Sequence, residues 1–237
     1  MARQLAVDVW SDIACPWCYI GKRRLEQALA RFPQRDAVQV RWRAFELDPS
    51  APAQRDPAKT YAQRLAEKYG SAVSQAQQRI DQMVEVAAAD GLPFDFAHIR
   101  PGNTFHAHRL LHLALERGLQ DALKERLLRG YLCEGAAIGD PAALLQLGRE
   151  AGLDASEVEK LLAGDAYAAD VRLDEREAQQ IGVSGVPFFR IGARYGVSGA
   201  QPADLILRAL ERAWDELPEP LEVLGTEPTS CGPQGCD

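Results

Sequence analysis

The chain has 237 residues, of which 46% are hydrophobic and 26% charged, and its formal net charge is −7. This composition is typical of a globular protein and excludes a disordered or fibrous chain. The negative charge and a pI of about 5.2 argue against nucleic acid and anionic membranes as partners, because both require a basic binding surface.

The first ten residues, MARQLAVDVW, contain no apolar stretch of the kind that a secretory signal needs. No run of about eighteen apolar residues follows that would predict a membrane span. We therefore expect a cytoplasmic protein. Permanent structural disulfides are rare in that reducing compartment, so cysteine pairs there more often catalyse or bind metal.

The first elements predict a strand, a helix and a second strand. Residues 5–10 are short, apolar and rich in valine, which is typical of a buried strand. A helix is expected after them, since apolar residues recur at the helical period until Pro33. In residues 38–45 apolar and polar side chains alternate, and this pattern predicts the second strand.

A long helical region follows, with glycines at the breaks between its segments. Helices are predicted at 57–69, 74–90, 104–117, 119–133, 141–151, 156–162 and 166–181. Strand character returns at 188–191 and 194–197, on either side of Gly192-Ala193, which indicates a hairpin. A last amphipathic helix is predicted at 201–216.

This order of elements predicts an α/β fold in which a mixed sheet carries an all-helical second lobe. We expect a discontinuous first domain, residues 1–55 and 180–216, and a helical insertion domain, residues 56–179. The C-terminal tail, residues 217–237, has four prolines and no sustained period, so it is expected to be a tether.

Cys15 and Cys18 lie in the stretch SDIACPWCYIGKRRLE, between the first strand and the first helix. If Cys15 is the N-cap, Pro16 takes the first helical position, where an N–H is not needed. The first-turn N–H groups and the helix dipole then favour the Cys15 thiolate by about 0.3–2 kcal/mol. We therefore expect Cys15 to be an acidic nucleophile and Cys18, one turn deeper, to resolve its mixed disulfide.

Two other interpretations of this CPWC pair are half of a zinc site and two small core residues. The position after a strand and before a helix favours redox chemistry. Resolution also needs a proton acceptor for Cys18, and the flanking strands offer Asp8, Asp12 and Glu46, among which the sequence does not decide.

The stretches SDIACPWCYIGKRRLE, NTFHAHRL and GVSGVPFF together resemble the DsbA superfamily of thioredoxin-fold disulfide oxidoreductases, specifically its FrnE-type subgroup, over residues 5–216. The resemblance implies a thioredoxin fold interrupted by a helical domain. It implies that Cys15 is the exposed nucleophile, Cys18 its buried partner and Pro187 a cis-proline that faces them. It also implies that a substrate peptide pairs with the Val186 backbone.

Trp17 is expected to lie beside the reactive sulfur and to contact substrate, together with Val186 and Pro187. It occupies a position where the DsbA enzymes have histidine, and it adds no positive charge. We therefore expect a less acidic Cys15 and a less oxidising pair than in DsbA.

His106, His108 and His112 fall on one predicted helix, and the last two share a face with Glu116 at metal-ligand spacing. No matching ligand is evident elsewhere in the sequence, so neither a metal nor a cofactor is predicted. The family resemblance suggests instead that Asn103 and His108 border the active-site groove. Three tryptophans are expected in the core: Trp10, Trp42 and Trp214.

Three further cysteines remain, and Cys133 has an apolar helical setting that predicts a buried, inert thiol. Cys231 and Cys236 flank turn-forming residues, which allow the loop to fold back into disulfide geometry. A tether of about fifteen residues spans on the order of 20 Å, enough to reach Cys15. We therefore predict that the tail pair exchanges disulfides with the CPWC pair, within one chain or between chains. Idle tail cysteines, or zinc bound by all four thiols, are the alternatives.

The first functional hypothesis is a thiol–disulfide oxidoreductase or isomerase that acts on protein disulfides and has a reducing or oxidising partner of unknown identity. The second is a kappa-type glutathione transferase or a related isomerase, since the CPWCY segment resembles theirs, although those enzymes usually carry serine at the position of Cys15. The third is a non-enzymatic holdase or metal-stress protein whose thiols bind ions.

Overall fold

The computed structural model describes residues 3–218 and the backbone of 231–232 and 235–236. Its main sheet has four strands in the order β2-β1-β3-β4. β1 and β2 are parallel, and β3 is antiparallel to both of its neighbours. The expected mixed sheet is thereby confirmed. The strands are β1 (Leu5–Ser11), β2 (Val38–Ala44), β3 (Phe188–Ile191) and β4 (Tyr195–Ser198).

Two helices follow strands of this sheet, α1 (Pro16–Arg31) after β1 and α9 (Ala203–Asp215) after β4, and they pack together against it. The helical insertion lies between β2 and β3, as the period predicts. Its helices are α2 (Tyr61–Tyr69), α3 (Val73–Ala89), α4 (Phe105–Glu116), α5 (Gln120–Cys133), α6 (Pro141–Glu150), α7 (Ala155–Ala163) and α8 (Ala168–Gln180).

The largest difference between predicted and observed helices is the start of α2, at Tyr61 rather than at residue 57. Thr60 is the physical reason. Its hydroxyl accepts a hydrogen bond from the Gln63 N–H, and the Gln63 side chain accepts one from the Thr60 N–H at 2.8 Å. This capping box satisfies the free donors of the first turn and sets the start of the helix.

Helix α1 belongs to both main hydrophobic clusters of the protein. Tyr19 and Ile20, in its first half, pack with side chains of the helical insertion. Leu25 and Ala28, in its second half, pack with the sheet and α9. The CPWC turn at the start of α1 therefore lies at the end of the helix that packs with the insertion.

The helical insertion closes the free edge of β2 with buried side chains. Gln120 of α5 accepts a hydrogen bond from the Trp42 N–H and donates one to the Trp42 carbonyl, both at 2.9 Å. Asp174 of α8 accepts a hydrogen bond from the Ala44 N–H at 2.9 Å. Because an edge strand otherwise leaves these groups unpaired, the contacts attach the insertion to the sheet.

The tryptophans predicted for the core follow that expectation to different degrees. Trp10 and Trp42 are buried, and Trp214 is half-buried with its ring centroid 6.1 Å from that of Phe32. Trp17, in contrast, is exposed.

The tail contributes one short antiparallel pairing between Cys231–Gly232 (β5) and Gly235–Cys236 (β6), in which Cys231 is the register partner of Cys236. The predicted tether, residues 219–230, lies outside the described residues, as do the side chains of the tail cysteines. Within the described part of the chain, no helix has the length and apolar character needed to span a bilayer.

Candidate active site

The first turn of α1 brings Cys15 and Cys18 together as the sequence predicts. Cys15 is the N-cap residue and Pro16 the first helical residue. Both thiols are free, and they lie close enough in this turn for each to change the pKa of the other. Cys15 is 5% exposed and Cys18 is 0% exposed, so a substrate reaches the Cys15 sulfur first.

The Val186-Pro187 peptide bond is cis, as predicted, and lies beside this turn. The Cys15 thiol donates to the Val186 carbonyl across 3.6 Å. Gly21 of α1 permits this close approach, because a Cβ at that position would lie 2.8 Å from Pro187 Cγ. Helix α1 and the loop before β3 are thus in direct contact next to the thiols.

Two large apolar side chains near the CPWC turn are exposed. Trp17 is 43% exposed and Leu47 is 39% exposed, although large apolar side chains are usually buried. The N–H of Leu47 donates to Asp12 at 2.8 Å, which fixes the loop after β2 beside the start of α1. The structure therefore offers an apolar surface next to Cys15.

The structure and the sequence analysis favour different sulfurs as the more acidic member of the reduced pair. The hydrogen bond with Cys18, burial and the charge of Asp12 raise the pKa of Cys15 well above its ordinary value, and the Cys18 N–H only partly opposes this. Burial also acts against ionisation of Cys18, but the hydrogen bond from Cys15 and the charge of Lys124 lower the pKa of Cys18. In the closed dithiol these contacts favour the thiolate on Cys18, whereas the helix dipole considered in the sequence analysis favours it on Cys15.

Lys124 of α5 is the site residue that the sequence interpretation missed. Its side chain is fully buried, its amine donates to the Ser11 carbonyl at 3.5 Å, and it lies 5.5 Å from the centroid of the Trp42 ring. Burial lowers the pKa of Lys124 to about 8, although the charges of Cys18 and Asp12 oppose that change. A signal was present in the sequence, because a lysine occupies a position of the apolar helical stripe that continues through Leu128.

Among the three candidate proton acceptors for Cys18, the structure places Asp12 beside the thiols. Its carboxylate is buried, accepts hydrogen bonds from the N–H groups of Ala14 and Leu47, and contacts His108 Nε2 at 3.3 Å. Burial opposes ionisation, but the hydrogen bond and charge of His108 lower the pKa of Asp12. A carboxylate held ionised in this way is a poor acceptor for the Cys18 proton.

The other two candidates are engaged elsewhere. Glu46 is buried and pairs with Arg172 at 2.5 Å, and burial raises the pKa of Glu46. Asp8 pairs with Arg43 at 2.9 Å and with Arg190 at 2.7 Å. Both carboxylates therefore have arginine partners of their own.

The histidines of α4 line the interior rather than an open groove. His108 is fully buried against Asp12, so the expectation that it borders the active-site groove is wrong. His112 Nε2 lies 3.0 Å from Asp174, and His106 Nδ1 contacts Arg109 at 2.9 Å. Each imidazole thus already has a polar partner, and the face of α4 that carries His108 and His112 packs inward, whereas His106 is half-buried.

Asn103 is half-buried just before α4, where its side-chain oxygen accepts a hydrogen bond from the Phe105 N–H at 2.9 Å. Glu116, at the end of α4, accepts a hydrogen bond from the Tyr167 hydroxyl at 2.7 Å.

Cys133 is half-buried at the end of α5, and burial raises the pKa of its thiol to about 11. Such a thiol remains protonated near neutral pH and reacts slowly.

Comparison with known proteins agrees with this geometry. The family model of the DSBA-like thioredoxin domain matches residues 6–211. The uncharacterized protein YwbO of Bacillus subtilis (strain 168) is 28% identical over 214 residues, which cover 86% of this chain and 94% of that protein.

Two solved structures share the fold. The probable DsbA oxidoreductase SCO1869 from Streptomyces coelicolor has a TM-score of 0.86 and 47% identity, with 99% of each chain covered. The cytosolic disulfide reductase DsbM from Pseudomonas aeruginosa, in its structure with GSH, has a TM-score of 0.57 and 17% identity, with 89% of this chain and 96% of that chain covered. Since the family model spans most of the sequence, the chain belongs to the DsbA-like thioredoxin-domain family of thiol–disulfide oxidoreductases.

Proposed function

We propose that the protein exchanges disulfides with protein substrates, with Cys15 as the nucleophile and Cys18 as the resolving thiol. The observation that carries this proposal is the pair of free thiols in the first turn of α1, of which only Cys15 retains exposed surface. Two thiols so placed can form one disulfide by giving up two electrons.

The first step transfers a proton between the two sulfurs. The Cys15 thiol passes its proton to the Cys18 thiolate along their hydrogen bond, and the Cys15 thiolate attacks one sulfur of the substrate disulfide. The second substrate sulfur leaves as a thiolate, and Cys15 remains in a mixed disulfide.

The second step releases the substrate. Cys18 first gives the proton that it gained to the substrate thiolate released in the first step. The Cys18 thiolate then attacks Cys15 Sγ, the first substrate sulfur leaves as a thiolate, and the Cys15–Cys18 disulfide forms. The substrate has then gained two electrons, and the protein pair has lost them. The same steps in reverse oxidise a substrate dithiol, so the recycling partner sets the direction.

Protein substrates are favoured by the surface beside Cys15. Trp17 and Leu47 offer apolar contact, and the Val186 carbonyl lies on the same side as the nucleophile. An extended peptide that hydrogen-bonds to the Val186 backbone places its cysteine beside Cys15. Trp17, Val186 and Pro187 are therefore proposed as the substrate-binding residues.

Insulin reduction with dithiothreitol tests the proposal. Cys15→Ser is expected to abolish turnover. Cys18→Ser should form a covalent mixed disulfide with insulin that persists on a non-reducing gel and disappears with excess reductant. Cys133→Ser is the matched control and should keep wild-type turnover. Full turnover by Cys15→Ser would refute the assignment.

The glutathione-conjugating alternative predicts a different result. A glutathione transferase needs no second thiol, so conjugation of 1-chloro-2,4-dinitrobenzene should survive Cys18→Ser. The presence of a second free thiol, the buried Cys18, in the same helical turn as Cys15 favours disulfide exchange instead. Loss of turnover with insulin but retention of conjugation in Cys18→Ser would favour the transferase. Stoichiometric zinc in the purified protein would favour the third, metal-binding hypothesis.

We also propose that Cys231 and Cys236 act as a redox relay to the CPWC pair. Their backbone pairing in register supports this, because it places the two cysteines opposite each other in the hairpin. The double replacement of Cys231 and Cys236 by serine should change turnover or the reduction potential, whereas identical kinetics would contradict the relay. Membership of the FrnE-type subgroup and a cytoplasmic location remain proposals, and cell fractionation tests the second.

A further inference from the structure

Lys124 is a buried cation in contact with the backbone next to the CPWC turn. Its side chain is fully buried, and its amine donates to the carbonyl of Ser11, the last residue of β1. A fully buried lysine is rare unless it is paired with a negative charge, because burial removes the hydration of the ammonium group. Its burial therefore needs an explanation.

A second buried lysine in the protein shows how a buried ammonium group is ordinarily paired with carboxylates. Lys22 of α1 is equally buried, and it pairs with Glu26, with Asp121 at 3.2 Å and with Glu125 at 3.3 Å. For Lys124, no Asp or Glu in residues 3–218 lies within ion-pair distance. The negative charge that acts on it most strongly is that of Cys18.

We propose that Lys124, a residue of the helical insertion, is the positioning cation that keeps Cys18 ionised for the resolving step. This inference rests on the disulfide exchange proposed above. Lys124 keeps its proton throughout, the Cys18 thiolate attacks Cys15 Sγ, and the proton lost by Cys18 ends on the released substrate thiol.

The need for such a cation is greatest after the mixed disulfide has formed. In the closed dithiol the Cys15 S–H stabilises the Cys18 thiolate. Once Cys15 is bonded to the substrate, that donor is gone. Lys124 then remains to stabilise the thiolate, together with the buried Ser11 hydroxyl, which has no hydrogen-bond partner in the described residues and is free to donate.

Two other charged side chains, Asp12 and Lys22, also act on the pKa of Lys124. Asp12, before α1, raises the pKa of Lys124, and Lys22 on α1 lowers it. The Trp42 ring of β2, 5.5 Å away, is a neutral contact that favours the ammonium. A change confined to Lys124 therefore alters the charge that faces Cys18 and leaves the carboxylates in place.

The experiment uses the full-length chain with Cys133, Cys231 and Cys236 replaced by serine, so that only the CPWC pair reacts. Reaction with 4,4′-dithiodipyridine releases one thiopyridone when Cys15 attacks and a second when Cys18 resolves, and stopped flow separates the two phases. In this background, Lys124→Met removes the charge, Lys124→Arg keeps it, and Lys160→Met replaces an exposed lysine of α7 as the matched control.

At pH 7, Lys124→Met should slow the second phase about tenfold more than the first, because a nearby cation shifts a thiol pKa by about 1 unit or more. This excess should shrink as the pH rises, since Cys18 then ionises without help. Lys124→Arg should restore the second phase, and Lys160→Met should match the parent. Equal slowing of both phases, or an unchanged second phase, would overturn the inference.

Failure of Cys15 as the nucleophile and failure of Lys124 as the positioning cation give different results. A parent protein that shows no first phase contradicts Cys15 as the nucleophile, whatever Lys124 does. If Lys124→Met does not fold, the pH dependence of the parent's second phase decides. Its midpoint should lie below about 8.5, the ordinary pKa of cysteine, and a midpoint at or above that value would contradict a role for the cation.

Discussion

Replacement of Gly21 by alanine tests whether the close contact between α1 and Pro187 supports the active site. The new Cβ would lie 2.8 Å from Pro187 Cγ and 3.3 Å from the Phe189 ring. Ordinary carbon contacts are about 3.5–4.0 Å, so the two elements must separate by roughly 0.7 Å or more. Alanine gains about 0.5–1 kcal/mol over glycine in a helix interior. Overpacking of a buried contact costs about 1–3 kcal/mol.

The cost of overpacking should exceed the gain in helix propensity, because both neighbours of the new methyl group are buried ring atoms that cannot rotate away. We expect the free energy of unfolding in urea to fall by about 1–2 kcal/mol. The Val186 carbonyl, now 3.6 Å from Cys15 Sγ, should also move away and slow the first phase with dithiodipyridine severalfold.

Gly148→Ala on α6 is the control, since the nearest neighbour of its new Cβ is Val158 Cγ2 at 3.2 Å and the next atoms lie at 3.7 Å and beyond, so a shift of a few tenths of an ångström accommodates it. The free energy of unfolding of this variant should stay within about 1 kcal/mol of the wild-type value. A Gly21→Ala protein as stable and as reactive as wild type would show that the contact is not tight.

Three other outcomes follow from the charges and the surface of the site. Asp174→Asn removes the carboxylate that pairs with Arg43 at 2.6 Å and with His112 at 3.0 Å, while Asp8 and Glu177 still pair with Arg43. We expect a loss of about 1–3 kcal/mol in urea unfolding, and an unchanged curve would contradict the ion pair. Burial opposes ionisation of Asp12 and Asp174, yet their histidine partners lower both pKa values. Their stabilisation is thus present above about pH 3.9, the unfolded pKa, and is lost as the pH falls through the lower folded values. Thermal melts from about pH 5 to pH 2 should show this loss, with a smaller change in Asp174→Asn. Trp17→Ala should slow insulin reduction severalfold while leaving the first phase with dithiodipyridine near wild type, and equal slowing of both would argue against a substrate contact.

The sequence was sufficient to predict most of the secondary structure, because hydrophobic period and turn residues are local signals. β3 was predicted to the residue, since Phe188–Ile191 is bounded by Pro187 and the Gly192 turn. The N-cap position of Cys15 followed from Pro16, whose missing N–H suits only the first turn. Where a boundary differed, as at the start of α2, side-chain capping rather than apolar period decided it.

The electrostatics of the site were not predictable in the same way, because they depend on contacts between distant parts of the chain. Lys124 lies 106 residues after Cys18, and His108 meets Asp12 across 96 residues. The helix dipole is a local effect and predicted an acidic Cys15. The mutual influence of the two thiols and a cation from the insertion act in the opposite direction and favour the thiolate on Cys18, although burial opposes ionisation of both sulfurs.

Helix α1 packs with the insertion through Tyr19 and Ile20 and with the sheet through Leu25 and Ala28. Neither half of the molecule can therefore melt while leaving this helix fully packed. Far-ultraviolet circular dichroism and the fluorescence of the buried tryptophans should report a single cooperative transition. Turnover in insulin reduction should be lost at the same denaturant concentration as the fold, rather than surviving in an isolated thioredoxin-like fragment.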